Sequence, residues 1–434
     1  MRIAVIGSGI AGNSAAWALA ERYDVTLYER RNRPGGHSAT VDIDYDGTPL
    51  SVDTGFIVYN ELTYPNFTAL LEHLGVASEA SDMSFALSLD GGTCEWSGCN
   101  LNTVFGQRRN IFSPRFHWML REVLRFNRQC LADRAAGHLA GLSLADYLGW
   151  RRFSQGFARN YLLPMGAAIW STPPAEMLAF PAETLVAFFE NHRLVHTDRP
   201  VWRTVSGGSR SYVERLVQPL GNRLRLGTEV KRVWRAAGKV HVVDASGNED
   251  VFDRVVMASH TDQTLAMLID ATPEERNILS AVPYRSNRVY LHRDPALMPR
   301  RKRVWASWNY LASSAPGADS RDVSVSYWMN RLQNLPADKP LFVSLNPPEA
   351  PRADLVFGTY TYDHPQFTRD AMAAQRALDQ IQGENHIWFC GAWCGYGFHE
   401  DGLRAGLDVA RAIGCDIPWR VDHDGRAQPA EAAE

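Results

Sequence analysis

Lysine is scarce in this 434-residue chain; it occurs only at Lys231, Lys239, Lys302 and Lys339, and arginine supplies the other cations. Any chemistry that needs a lysine can therefore be checked against four positions. Cysteine is also sparse, at Cys94, Cys99, Cys130, Cys390, Cys394 and Cys415. So few in so long a chain build no dense disulfide framework, and a reduced cytosolic setting is expected. Cys390 and Cys394 have no Cys/His pair at finger-like spacing beside them, so no zinc is expected. No apolar run approaches the roughly 18 uncharged residues of a spanning helix. The N-terminus has no basic segment followed by an apolar run and a cleavage site, so export is not expected. A net charge of −3 gives no reason to expect a nucleic-acid partner. With 45% hydrophobic and 21% charged residues, the composition is that of a globular protein, long enough for two or three lobes.

The chain opens with an apolar strand, Arg2 to Ile6, then a glycine-rich turn, a helix from Ala11 to Arg22 and a strand from Asp24 to Glu29. This βαβ unit starts a Rossmann-type nucleotide-binding domain. From Leu101 to His196 the pattern is helical and aromatic-rich. Strands are expected near Leu224 to Leu226, Glu229 to Arg235, Lys239 to Asp244 and Arg254 to Ala258. Between Arg285 and Tyr362 the segments alternate like an antiparallel sheet, one of them running from Val304 to Tyr310. A buried strand at Ile387 to Cys390 and a helix from Leu403 to Ile413 follow. The fold class is α/β: a discontinuous nucleotide-binding domain (1–95, 205–275 and 375–420) and a substrate domain of antiparallel sheet plus helices (96–204 and 276–374). The tail, 421–434, is expected to fray, beginning near Arg420.

Gly7-Ser8-Gly9-Ile10-Ala11-Gly12 is a G-x-G-x-x-G turn between strand and helix. Gly7 permits the turn, Gly9 the approach of a pyrophosphate, and Gly12 close packing of helix on strand. Ser8 and Ala11 contribute to the phosphate cradle at a positive helix end. Glu29 and Arg30 close the second strand, where an acid accepts from ribose hydroxyls. Arg33-Pro34-Gly35-Gly36-His37 follows, with Gly35 and Gly36 able to pass close to a cofactor and His37 to face its phosphates. The pattern up to Glu29 does not separate NAD from FAD.

With Gly35-Gly36 and the C-terminal Phe389-Cys390-Gly391-Ala392 … Glu400-Asp401-Gly402-Leu403-Arg404-Ala405-Gly406, the chain resembles the flavin-containing amine oxidoreductase superfamily. The superfamily includes monoamine oxidases, protoporphyrinogen oxidase and phytoene desaturases. The resemblance implies FAD as cofactor, a second flavin motif around Gly391, Gly402 and Leu403, and an adenine contact at Val230. Trp393 stands where the family pattern has an acid. Three further segments resemble a bacterial subgroup linked to fatty-acyl modification, which includes the flavin desaturase of furan fatty acid biosynthesis. They are Val52 to Asn60 (with Gly55 and Phe56), Ser81 to Phe85, and Gly395 to Gly402.

That resemblance implies desaturation of a methylated fatty acyl chain, in phospholipid or free, with oxygen or a quinone as re-oxidant. Amine oxidation and a non-catalytic flavin-binding scaffold are the alternatives. Amine oxidases of the superfamily keep a lysine near the flavin, and the segment Tyr284 to Arg293, which matches that region, has none. Phe56, Trp393, Tyr396 and Phe398 are candidate walls of a substrate pocket, although the same aromatics suit core packing. His399, with Tyr396, is a candidate catalytic group, a base with a pKa close to working pH. Otherwise His399-Glu400-Asp401 caps the last helix. Cys394 lacks the neighbours of the family's covalent flavin cysteine.

Leu101 to Arg134 is rich in arginine against only Glu122 and Asp133. Arg121, Arg125 and Arg128 share one helical face, with Phe116, Leu120, Val123 and Leu124 on another. Such a helix can lie on an anionic membrane, joined by Arg300-Arg301-Lys302-Arg303, or can pack on its own domain. The expected location is the cytoplasm, with peripheral attachment to the inner face of the membrane.

Overall fold

Five short parallel strands form the first lobe's sheet, in the order Leu224–Arg225, Asp24–Tyr28, Arg2–Ile6, Arg254–Met257, Ile387–Phe389. The computed structural model describes residues 1–196, 198, 200–312, 323–422 and 427–430. The sheet draws on widely separated stretches of chain, as parallel neighbours must, since each needs a crossover. Ile3, Val5, Val25 and Leu27 are completely buried, as expected for strands covered on both faces. The helix Ile10–Leu19 is buried along its whole length. It packs on the C-terminal helix His399–Ile413 so closely that a Cβ on Gly406 would stand 2.2 Å from the Ala11 carbonyl oxygen. A three-stranded antiparallel sheet, Val230–Ala236, Lys239–Asp244 and Glu249–Phe252, flanks this lobe.

The second lobe is built on a seven-stranded sheet. Its order is Val356–Pro365, Tyr284–His292, Phe342–Leu345, Ser324–Trp328, Trp308–Ala312, Phe85–Leu89, Cys94–Ser97. The last two strands fall largely within the 1–95 segment given to the first lobe, and the structure moves them: Phe85–Leu89 pairs in parallel with Trp308–Ala312. Local sequence carries no information about which sheet receives them. Leu87 and Trp96 decide it by burying against the helical layer. The expected strand from Val304 is also shorter, because Lys302–Val304 is a 3₁₀ turn and pairing begins at Trp308.

The helical layer includes Pro114–Ala135, Leu163–Trp170 and Ala182–Asn191 around Phe126, Phe157 and Phe189. The long helix starts where Ser113 accepts from the Phe116 N–H with proline next in line, a strong start signal. Arg420 does not begin a frayed tail: Trp419–Val421 pairs with Ala427–Pro429. Buried Trp419 anchors it by stacking on Trp17 (6.0 Å) and donating to the Asn66 side chain (3.1 Å). Residues 423–426 and 431–434 of the predicted tail lie outside the described residues. No helix among the described residues is long and apolar enough to cross a membrane.

Candidate active site

The glycine turn after the first strand is left-handed at Gly7 (φ 104°), where the Gly7 N–H donates to the Tyr28 carbonyl. Gly9 is extended (φ −65°, ψ 178°), and nothing stands within 4 Å of where its Cβ would be. Glu29 is held from both sides. One oxygen accepts from the Ser8 N–H (3.1 Å) and hydroxyl (2.5 Å), the other from the Arg31 N–H (2.8 Å). The Gly35-Gly36 turn is stitched to the same loop: the Gly35 N–H donates to the Ser8 carbonyl. A Cβ on Gly36 would lie 3.1 Å from the Gly9 Cα.

These loops form the inner wall of one cavity of about 710 Å³ that runs from the first lobe into the second. Gly7, Ser8, Gly9, Ala11, Glu29 and Arg30 line it, as do Gly35, Gly36, His37, Gly55, Phe56, Val230 and Gly391. Gly12, Gly402 and Leu403, also predicted to touch the cofactor, do not line it. Gly12 and Gly402 serve packing: added Cβ atoms would stand 1.8 Å from the Gly7 carbonyl oxygen and 2.8 Å from the Ile10 side chain. Leu403 is fully buried in the first lobe's core. The starts of both helices, at Ile10 and His399, face the cavity with their positive ends. Buried His37 Nε2 and Trp393 Nε1 lack hydrogen-bond partners in the protein, as groups awaiting a ligand do. An open cradle at Gly9, a positive helix end, an acid positioned for a ribose and these orphaned atoms fit a flavin dinucleotide.

Trp393, Tyr396, Phe398 and His399 all reach the cavity. Phe398 stacks on Phe188 at 4.7 Å, and Tyr396 meets the same ring edge-on at 6.1 Å. Burial holds the Tyr396 hydroxyl protonated above its ordinary range. The role of His399 as a base with a pKa near 7 is overturned. Its ring lies flat on Phe56 (3.8 Å, 8°), and Nε2 is 2.8 Å from the Tyr212 hydroxyl, which donates to Ser38. Burial pushes its pKa down to about 3, so it stays neutral. The capping alternative is half right. Asp401 accepts from the Tyr396 and Phe398 N–H groups at the start of its own helix. Glu400 instead caps another helix, Pro65–His73, accepting from the Asn66 and Phe67 N–H groups at 2.9 and 3.0 Å.

The predicted His37 is joined at the cavity wall by His260 and His364, which were not foreseen. His37 lies 4.9 Å from Tyr362 and 5.5 Å from His364, His364 Nδ1 is 3.0 Å from the Ser171 hydroxyl, and His260 stacks on Tyr284. Burial, above all, holds all three below the ordinary histidine range. They stand in three distant segments, and only the left-handed residue at Ser171 or the bend at Gly35-Gly36 hints locally at a special site.

The far end of the cavity is walled by Met83, Phe85, Trp96, Tyr161, Ile169 and Tyr327. The described carboxylates lining the cavity are Glu29 and Glu229 near the nucleotide loops and Asp363 beside His364; the lining lysine is Lys231. Tyr284 and Val289 line it from the strand Tyr284–His292, which carries no lysine.

The sequence profile of the flavin containing amine oxidoreductases matches residues 10–331. The chain belongs to that family. FAD is its cofactor, and the flavoprotein shares its fold with several solved enzymes. A putrescine oxidase bound to putrescine superimposes with a TM-score of 0.66 at 16% identity, over 95% of this chain and 99% of the other. A CLA-producing fatty acid isomerase from P. acnes gives 0.67 at 14%, over 95% and 98%. A cyclohexylamine oxidase from Brevibacterium oxydans gives 0.64 at 17%, over 95% and 98%. No curated protein matches the flavoprotein in sequence.

Proposed function

We propose that this flavoprotein desaturates a fatty acyl chain, with a methylated chain carried in phospholipid as its preferred substrate. The observation that carries the reading is the outer chamber of the cavity, which is aromatic and aliphatic and has neither lysine nor carboxylate among its described walls. An acyl chain gains about 0.8 kcal/mol for each methylene withdrawn from water there. An ammonium group would lose its hydration with no carboxylate opposite. FAD supplies the two-electron oxidising chemistry when bound. The protein's part is to bind, orient and exclude water. Phe56 is fixed by the flat stack of neutral His399, and Phe398 by Phe188. Tyr396 keeps its proton, so its hydroxyl can donate a hydrogen bond. The same fold carries a fatty acid isomerase as well as amine oxidases, so acyl chains are within its compass.

The test is anaerobic mixing of the FAD-loaded protein with acyl phospholipids and, separately, with putrescine or benzylamine. Loss of flavin absorbance is expected with the acyl substrate and not with the amines. Rapid bleaching by an amine would restore amine oxidation. Photoreducible flavin that neither class bleaches would identify a scaffold.

A further inference from the structure

We infer that the flavoprotein docks the distal mouth of its cavity onto an anionic lipid bilayer, an inference that rests on the acyl-chain reading of that cavity. Of the described lining residues, Arg30, Lys231 and Ala266 in the first lobe and Gly98 at the far end are exposed, so Gly98 marks the distal opening. Three residues on, at most about 11 Å of chain, begins a surface rich in exposed apolar side chains. Leu101 is 77% exposed, Phe112 85%, Trp118 57% and Leu124 64%. They stand on the short helix Leu101–Val104, the turn Arg108–Phe112 and the outer side of Pro114–Ala135. Phe105 ties these elements together, 5.8 Å from Phe116 and 5.6 Å from His117.

Cations interleave with these side chains. Arg115, Arg121 and Arg128 are exposed and in no ion pair among the described residues. Arg108, Arg301, Lys302 and Arg303 line a second cleft with Gly106. Between Trp96 and Ala132 the only acid is Glu122, which is buried and occupied by Ser154 and Arg125. Arg125, expected to share the outer face with Arg121 and Arg128, is turned inward. Its guanidinium lies 4.0 Å over the Phe153 ring and donates to the Arg152 carbonyl. Leu124, expected inside, points outward instead. The helix therefore presents tryptophan, leucine and unpaired arginines together. An exposed apolar patch ringed by cations is the chemistry of a bilayer interface: the apolar groups enter the acyl boundary while arginines meet lipid phosphates.

The test is co-sedimentation of the FAD-loaded protein with vesicles of phosphatidylcholine alone or mixed with phosphatidylglycerol. Binding is expected to the mixed vesicles and to be weak to the neutral ones. Arg115→Gln/Arg121→Gln/Arg128→Gln should weaken it by about a hundredfold, roughly fivefold per arginine. Phe112→Ser/Leu124→Ser should weaken it with melting temperature and FAD content unchanged. A control of equal charge in the other lobe, on which the helix Pro273–Ser280 also packs, is Arg232→Gln/Arg276→Gln/Arg376→Gln, which should bind as wild type. Failure of the wild type to bind mixed vesicles, or equal loss in control and docking variants, would overturn the inference. Vesicle binding needs no turnover, so an acyl substrate that fails to bleach the flavin would sink the proposed reaction without touching this result.

Discussion

Glu29 accepts from Ser8 and from the Arg31 N–H, and these contacts aim its carboxylate along the cavity wall. Replacing it with alanine removes the charged acceptor expected to hold the adenosine ribose. FAD affinity should fall by about 1.5–3 kcal/mol, the range for charge-assisted hydrogen bonds. Flavin absorbance retained through dialysis is the measure, and unchanged retention would contradict the assignment. Two neighbouring glycines separate binding from folding. Gly9 has backbone angles any residue adopts and open space beyond its Cα, so Gly9→Val should fold, melt near the FAD-free wild type and purify colourless. At Gly12 a Cβ would stand 1.8 Å from the Gly7 carbonyl oxygen, so Gly12→Ala should lose folded protein instead. Equal behaviour of the two variants would show that the cavity at Gly9 is not where the phosphates lie.

At the scale of elements, Glu400 shows what local pattern can and cannot convey. An acid one residue into a helix reads as that helix's own cap, and Asp401 behaves so, but Glu400 reaches across to the start of Pro65–His73. Glu400→Ala strands the buried Asn66 and Phe67 N–H groups. At about 1–3 kcal/mol for each unsatisfied donor, it should lower the melting temperature well beyond Glu400→Gln, which keeps an acceptor oxygen. Equal melting of both variants would show that water replaces the carboxylate. The first βαβ unit and the strands of the first lobe's parallel sheet were legible because hydrophobic runs and glycine turns are local signals. The sheet that receives Phe85–Leu89 was not, since its partner Trp308–Ala312 is more than two hundred residues away. The cofactor loops were legible for the same reason, glycine spacing. His37 was legible beside them, but His260 and His364 were not, because only tertiary packing brings them to it.

Across the whole molecule, the buried histidines set how the fold responds to acid. Burial pushes His399 to about 3 and His192, His292 and His364 to about 4. In the unfolded chain each titrates near 6.5. Between pH 6.5 and 4 the unfolded chain therefore binds protons that the folded one refuses. Stability is full above pH 6.5 and falls as pH drops, by about 1.4 kcal/mol per unit for each such histidine. Glu400 acts the other way. Burial pushes it up to about 7, so between its ordinary 4.5 and 7 the folded form binds the extra proton and stability rises as pH falls. These four histidines, with His37 and His260 depressed likewise, outnumber Glu400 and the raised carboxyls of Asp53 and Asp401, and the melting temperature should decline steadily from pH 7 to 5. His399→Gln removes one of the four. It should melt lower than wild type at pH 7.5, where the stack on Phe56 and the bond to Tyr212 are weakened, yet lose less on acidification. Melting curves for both proteins at half-unit steps between pH 5 and 7.5 give the two slopes. A slope in the variant as steep as in wild type would mean that His399 already carries its proton in the folded protein, and that its stack on Phe56 is a cation on an aromatic face.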